Sequence, residues 1–171
     1  MKNTFLILLL LCAVSVVKSQ VSYSAKLETG FQKFLSRGMM VEAGPGWKGY
    51  DLQDASKGFD IGLVNGISFK EYFKIGLGVE YINYDGINGY SIYGDLEATT
   101  TKSKTSPLFN LKIGKSHVNN QYEGGSDATF VEILGGIERK VIQKLALQLK
   151  IGFRFMHQAS VYFPIKVALR F

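Results

Sequence analysis

The sequence predicts an all-β protein, an eight-stranded antiparallel up-and-down transmembrane β-barrel. Apolar and polar residues alternate with a period of two in eight separate segments, and the segments run about ten residues, the length a tilted strand needs to cross the hydrocarbon layer. No run after the N-terminus resembles a spanning helix, because Gly, Lys or Glu breaks each apolar stretch. The alternation is clearest in VYFPIKVALRF. Val161, Phe163, Ile165, Val167, Leu169 and Phe171 are apolar, while Tyr162, Lys166 and Arg170 lie between them. Such a strand has two chemically opposite faces, since successive side chains point to opposite sides of a sheet.

The chain of 171 residues opens with MKNTFLILLLLCAVSVVKSQ. Lys2, the apolar run Phe5 to Val17, and the small or branched residues Val17 and Ser19 have the layout of a secretory signal peptide cut before Gln20. Residues 1–19 are therefore assigned to the signal and 20–171 to the barrel. Cys12 follows Leu11, where a lipidation signal needs a small residue, and it leaves with the signal, so the exported chain must hold together without a disulfide. The formal charge of +6 falls to +4 when Lys2 and Lys18 are removed. No Lys/Arg cluster is interleaved with aromatics, so nucleic-acid binding is not indicated.

Eight strands follow in order. The first, about Val21 to Phe31, sets Tyr23, Ala25, Leu27 and Thr29 against Ser24, Lys26 and Glu28. The second, Phe59 to Phe69, sets Phe59, Ile61, Leu63 and Ile67 against Asp60, Gly62 and Ser68. The third, Phe73 to Tyr84, opposes Ile75, Leu77, Val79 and Tyr81 to Lys74, Gly76, Gly78 and Glu80. The fourth, Gly89 to Thr99, opposes Tyr90, Ile92 and Leu96 to Ser91, Asp95 and Glu97. The fifth, Pro107 to His117, opposes Phe109, Leu111 and Ile113 to Asn110 and Lys112. The sixth, Thr129 to Arg139, opposes Val131, Ile133 and Ile137 to Glu132 and Glu138. The seventh, Leu145 to Phe155, opposes Leu147, Leu149, Ile151 and Phe153 to Gln148, Lys150 and Arg154. The eighth is the ending quoted above.

Three connections, KEY, TKSKTS and KVIQK, are short and carry Lys, whereas the first long connection spans about residues 32–58. Transmembrane barrels place short turns on the periplasmic side and longer loops outside. Starting the first strand from the periplasm fits that rule except at the short outer connections near Tyr84 to Asn88 and Gln158 to Ser160, and it puts both mature termini in the periplasm.

The polar faces carry seven cations, Lys26, Lys74, Lys112, Lys150, Arg154, Lys166 and Arg170, and seven carboxylates, Glu28, Asp60, Glu80, Asp95, Glu97, Glu132 and Glu138. An eight-stranded barrel is only wide enough for side chains to fill its interior. Balanced charges inside can pair, which avoids the large cost of a lone buried charge. The expectation is a lumen plugged by an ionic network, with Gly62, Gly76, Gly78, Gly136 and Gly152 making room for long side chains. Aromatics near strand ends, such as Phe59, Phe73, Tyr81, Tyr90 and Phe155, suit interfacial girdles. Asn65 and Lys115 interrupt the apolar face, either near an interface or at a bulge. Pro164 lacks an N–H within a strand that must pair on both sides, which implies a bulge or a widened pairing. The structural rival is a secreted lipocalin-like barrel, which would turn its apolar face inward around a ligand.

The alternation closing on Phe163, Ile165, Val167, Leu169 and Phe171 resembles the C-terminal signal that hands barrels to the outer-membrane assembly machinery. With the signal peptide and the eight strands, the chain resembles the small outer-membrane β-barrel proteins of Gram-negative bacteria. GPGWKGYDL, GFDIGLVNGISFK and LFNLKIGKSH are similar to segments of small barrels from the Bacteroidota. The resemblance implies residence in the cell outer membrane, contact with its lipid and lipopolysaccharide, and a monomer. Such barrels include adhesins, structural anchors, pores and lipid-modifying enzymes, so the likeness does not select an activity.

Chemistry is sparse. His117 and His157 are the only histidines; Ser116 precedes the first and Ser160 follows the second by three, but no third group is fixed by spacing. The reading favoured is two interfacial polar residues, with no catalytic set. The scarcity of His and the loss of Cys12 leave no metal-ligand cluster, and no cofactor is implied. GPGWKG lacks the GK[ST] ending of a phosphate loop. The long first loop, with Trp47 and Tyr50, is a candidate contact surface, since Trp suits a binding hot spot and an interfacial belt equally. The function expected is a non-enzymatic envelope-structural or surface-interaction role. A narrow pore and a lipid-modifying enzyme are the alternatives.

Overall fold

A computed structural model describes residues 21–36, 45, 56–70, 72–84, 87–100, 103–119, 125–156 and 160–171. The signal segment lies outside them, as do Trp47 and Tyr50. Eight strands form a closed barrel in sequence order: β1 (Val21–Ser36), β2 (Lys57–Phe69), β3 (Phe73–Tyr84), β4 (Ile87–Thr99), β5 (Thr105–Val118), β6 (Ser126–Ile142), β7 (Leu145–Met156) and β8 (Ser160–Arg170). Every neighbouring pair is antiparallel, and β1 closes on β8. Closure removes the free edges that an open sheet would present.

Period-two patterning places each side chain. Along β3 the exposed Phe73, Ile75, Leu77, Val79 and Tyr81 alternate with the buried Lys74, Glu80, Ile82 and Tyr84. Across the middle of the wall most large aliphatic residues face outward and the fourteen balanced charges face inward, while Ile82, Tyr84, Phe130 and Tyr162 are inward apolar or aromatic residues and Lys33, Lys57 and Lys115 are outward cations. Leu77, at 71% exposed, is the extreme of a belt that water would penalise and lipid would not. This is the face arrangement of a transmembrane barrel and the reverse of a lipocalin-like one. Aromatics flank the belt: Tyr23, Phe69 and Phe73 near the termini, and Phe31, Phe59, Tyr81 and Tyr90 toward the far end.

Strands are longer than their alternation suggests. β1 continues to Ser36, so Phe31 and Phe34 belong to the barrel wall, and the first long connection is narrowed to residues 37–56. β6 continues to Ile142, leaving only Gln143 and Lys144 before β7. At the near end Lys70 takes a positive φ of 50°, and the Tyr72 N–H donates to the Phe69 carbonyl at 3.1 Å, closing the β2–β3 turn.

The register passes through Asn65 and through Lys115 without a shift, so neither marks a bulge. Bulges fall instead at the rims, between Phe34 and Ser36 in β1 and between Lys140 and Ile142 in β6. Pro164 pairs with Gln32 on the β1 side. On the β7 side the ladder has a gap between Ile151↔Ile165 and Arg154↔Tyr162, with the register unchanged across it. The missing N–H thus widens the pairing locally and inserts no bulge. Past β8, Phe171 exchanges two backbone hydrogen bonds with Ala25, at 2.8 and 3.2 Å.

Candidate functional site: a charge-filled lumen and its far rim

Thirteen of the fourteen inward charges are buried, and Arg170 keeps 17% of its side chain exposed at the near end. They sort into two layers, each electrically neutral. In the middle layer Glu28, Asp60, Glu80 and Glu132 face Lys112, Lys150, Arg154 and Lys166. Lys166 Nζ lies 2.8 Å from Glu80, 3.0 Å from Asp60, 3.2 Å from Glu132 and 3.4 Å from Glu28. Glu28 also pairs with Lys112 and Lys150, and Lys112 reaches Glu132 at 3.1 Å. Arg154 pairs through Nε with Glu132 at 2.7 Å and through Nη2 with Glu80, and its guanidinium carbon stands 4.5 Å from the Phe130 ring centre.

Near the termini, Lys26 binds Asp95 at 2.8 Å and Glu97 at 3.0 Å, Lys74 binds Glu97 at 3.0 Å and Glu138 at 3.4 Å, and Arg170 grips Glu138 with two bonds of 2.9 Å. Gln148 donates to both Glu97 and Glu138, at 2.8 and 2.7 Å. Asn110 joins the layers. Its Oδ1 accepts from Lys150 at 3.1 Å and its Nδ2 donates to Asp95 at 2.8 Å.

Glu28, Asp60 and Glu80 bring carboxylate oxygens within 4.8 Å of one another, a spacing that would also hold a metal ion. Here the Lys166 ammonium contacts all three, so the chain supplies its own cation. Beyond the middle layer, toward the far end, the lumen turns apolar. Tyr84 stacks on Tyr162 at 4.5 Å, and Phe34 meets Tyr162 edge-on at 5.6 Å, with Ile82, Ile87, Val118 and Met156 packed around them. Near the other end, a recess among Ser24, Lys26, Lys74, Asp95 and Glu97 offers about 10 Å³, room for no more than one water. The two charged layers and the aromatic cluster fill the described part of the lumen with side chains.

Of the five glycines expected to make room, Gly62 and Gly78 accommodate the Tyr93 ring and Gly76 faces Val64. Gly136 and Gly152 instead lie against backbone carbonyls of the adjoining strands, Leu149 and Ile133. The glycine that clears space for an ion pair is Gly30, beside Lys166 and Asp60. Alternation assigns Tyr84 and Tyr162 to the inward phase, yet nothing in charge counting announces the aromatic cap they build with Phe34.

Ser116 and His117 separate, because adjacent residues of a strand face opposite ways. Ser116 Oγ lies 2.7 Å from Ser91 Oγ inside the barrel. His117 points outward, with Nδ1 3.0 Å from Asp127 Oδ1 and its ring 5.3 Å from that of Tyr90. Asp127 sits directly opposite His117 across the β5–β6 ladder, a partner invisible to sequence spacing. Ser116 cannot act as a nucleophile for that imidazole, and His157 lies outside the described residues.

No protein-family model matches the chain, and no curated protein does. Among solved structures it is similar to Neisserial surface protein A, with 12% identity, a TM-score of 0.63, and 88% of this chain and 97% of that chain covered. It is also similar to the N-terminal β-barrel domain of Pseudomonas aeruginosa OprF, with 10% identity, a TM-score of 0.57, and 89% and 100% covered. The likeness is one of fold. Eight antiparallel strands, a closed wall and an apolar exterior make this chain a transmembrane-type barrel.

Proposed function

We propose that the chain is an integral outer-membrane barrel of Gram-negative bacteria with no open channel, serving envelope structure or surface contact and catalysing no reaction. The far end faces outward and both mature termini lie in the periplasm. The observation that carries this reading is the neutral, filled lumen inside an apolar wall. A soluble barrel would not expose Leu77, Ile92 and Phe59 while burying Lys112, Lys150 and Lys166. Superposition on two solved barrels supports the outer-membrane location, and the segments quoted above support a Bacteroidota-like member of that group.

The other roles follow from that placement. The strand ending on Phe163, Ile165, Val167, Leu169 and Phe171 serves as the assembly signal, Trp47 and Tyr50 belong to an outer contact loop, and the barrel works as a monomer among lipid and lipopolysaccharide. Separation of inner and outer membranes combined with heat-modifiable migration in detergent gels tests the reading. The protein should sediment with the outer membrane and migrate faster unheated than boiled. A soluble protein with unchanged migration would overturn it.

A further inference from the structure

Lys33 of β1 and Lys57 of β2 stand directly opposite each other in the ladder, and both are outward and exposed. Like charges in that relation repel, because directly opposed side chains leave their Cβ atoms only about 5 Å apart. Neither ammonium is ion-paired among the described residues. The outward pair one step deeper in the same ladder is Phe31 with Phe59, which lies in the far aromatic girdle. One step along a face is about 6–7 Å of strand. The two ammoniums therefore sit just beyond the girdle, at the depth of lipid headgroups.

We infer that Lys33 and Lys57 clamp the phosphate of an outer-leaflet glycolipid bearing a phosphomonoester, the class that includes lipid A. A phosphomonoester carries about −1.5 to −2 charges at neutral pH, which matches two ammoniums, whereas a phosphodiester such as that of phosphatidylglycerol carries about half that. Anion binding offsets the repulsion between the two opposed ammoniums. Acyl chains of the same lipid lie along Phe31, Phe59 and Ile61, all exposed below the clamp. Lys115, also outward near the far rim, faces Ile92 and Thr129 and has no second cation opposite, so it cannot form the same clamp. The inference rests on the outer-membrane reading with the far end outward.

The test uses the full mature chain, delipidated in detergent and titrated by native mass spectrometry with bisphosphorylated lipid A, its enzymatically dephosphorylated form, and phosphatidylglycerol. Wild type should bind bisphosphorylated lipid A at least tenfold more tightly than either of the others. The K33Q/K57Q protein should lose that preference, K33R/K57R should keep most of it, and K115Q should behave as wild type. Equal binding of dephosphorylated lipid A, equal binding of phosphatidylglycerol, or an unchanged preference in K33Q/K57Q would overturn the inference. Heat-modifiable migration of each variant is read in parallel. A normal shift without lipid preference refutes the clamp alone, while loss of the shift in wild type refutes the barrel reading beneath it.

Discussion

Lys166 on β8 and Glu80 on β3 meet across the lumen at 2.8 Å, although their strands are not neighbours in the wall. The backbone ladder ties each strand only to the next. Pairs such as this one tie opposite walls together, and the four carboxylates around Lys166 make it the most connected cation of the middle layer.

Replacing Lys166 with Met leaves four buried carboxylates facing three cations. Removing one partner of a buried ionic set costs about 3–5 kcal/mol, far more than the intact set contributes relative to an apolar filling. The K166M barrel should unfold at markedly lower urea concentration, measured by loss of the heat-modifiable form. Adding Glu80→Gln restores neutrality and should recover part of the loss; a double variant less stable than the sum of the singles would contradict the neutral-layer account.

Asn110→Leu breaks this link between the layers: it removes the bond from Lys150, which keeps Glu28, and leaves Asp95 Oδ1 and the Leu96 carbonyl without the amide donor. Unsatisfied buried polar groups cost about 1–3 kcal/mol each, so the variant should be destabilised by roughly that much per group. Denaturation in urea against wild type measures it. Stability equal to wild type would mean that the layers stand independently.

Gly78 lies against the ring of Tyr93, and the contact would require the ring to move if a Cβ were added. Overpacking of this kind costs about 1–3 kcal/mol. Gly78→Ala should therefore destabilise the barrel, and the loss should shrink when Tyr93→Leu is added. A double-mutant cycle in urea shows whether the two positions couple, and strictly additive effects would refute the contact.

These side-chain meetings mark the limit of what the residues reveal in order. Alternation puts Lys26, Glu28 and Lys112 on one face and Leu77 and Ile92 on the other, because a strand admits only two directions, and the balance of seven cations with seven carboxylates points the first face to the lumen. It does not reveal that Lys166 rather than Lys150 sits amid Asp60, Glu80 and Glu132, since that depends on stagger between strands far apart in sequence. The aromatic cap is hidden for another reason: Tyr84 and Tyr162 are amphipathic residues in the inward phase, where a charge tally passes over them. Strand ends are obscured where bulges near Leu35 and Val141 interrupt the alternation at the rims.

Phe171 closes the β1–β8 seam through two backbone hydrogen bonds with Ala25. Deleting Phe171 removes both bonds and the last apolar side chain of the proposed assembly signal. The outer-membrane fraction of the protein should fall several-fold, with the remainder unshifted on unheated gels. Phe171→Tyr, which keeps the backbone and the ring, should assemble normally. Normal assembly of the deletion would show that neither the seam nor the signal depends on that residue.

Ionic conductance in a planar lipid bilayer tests the closed lumen most directly. In the proposed closed barrel the two neutral layers and the cap of Tyr84, Phe34 and Tyr162 block the lumen, so purified, heat-modifiable protein inserted at high concentration should give no stepwise current above the lipid baseline. Reproducible unitary current steps from the wild-type protein would contradict the account.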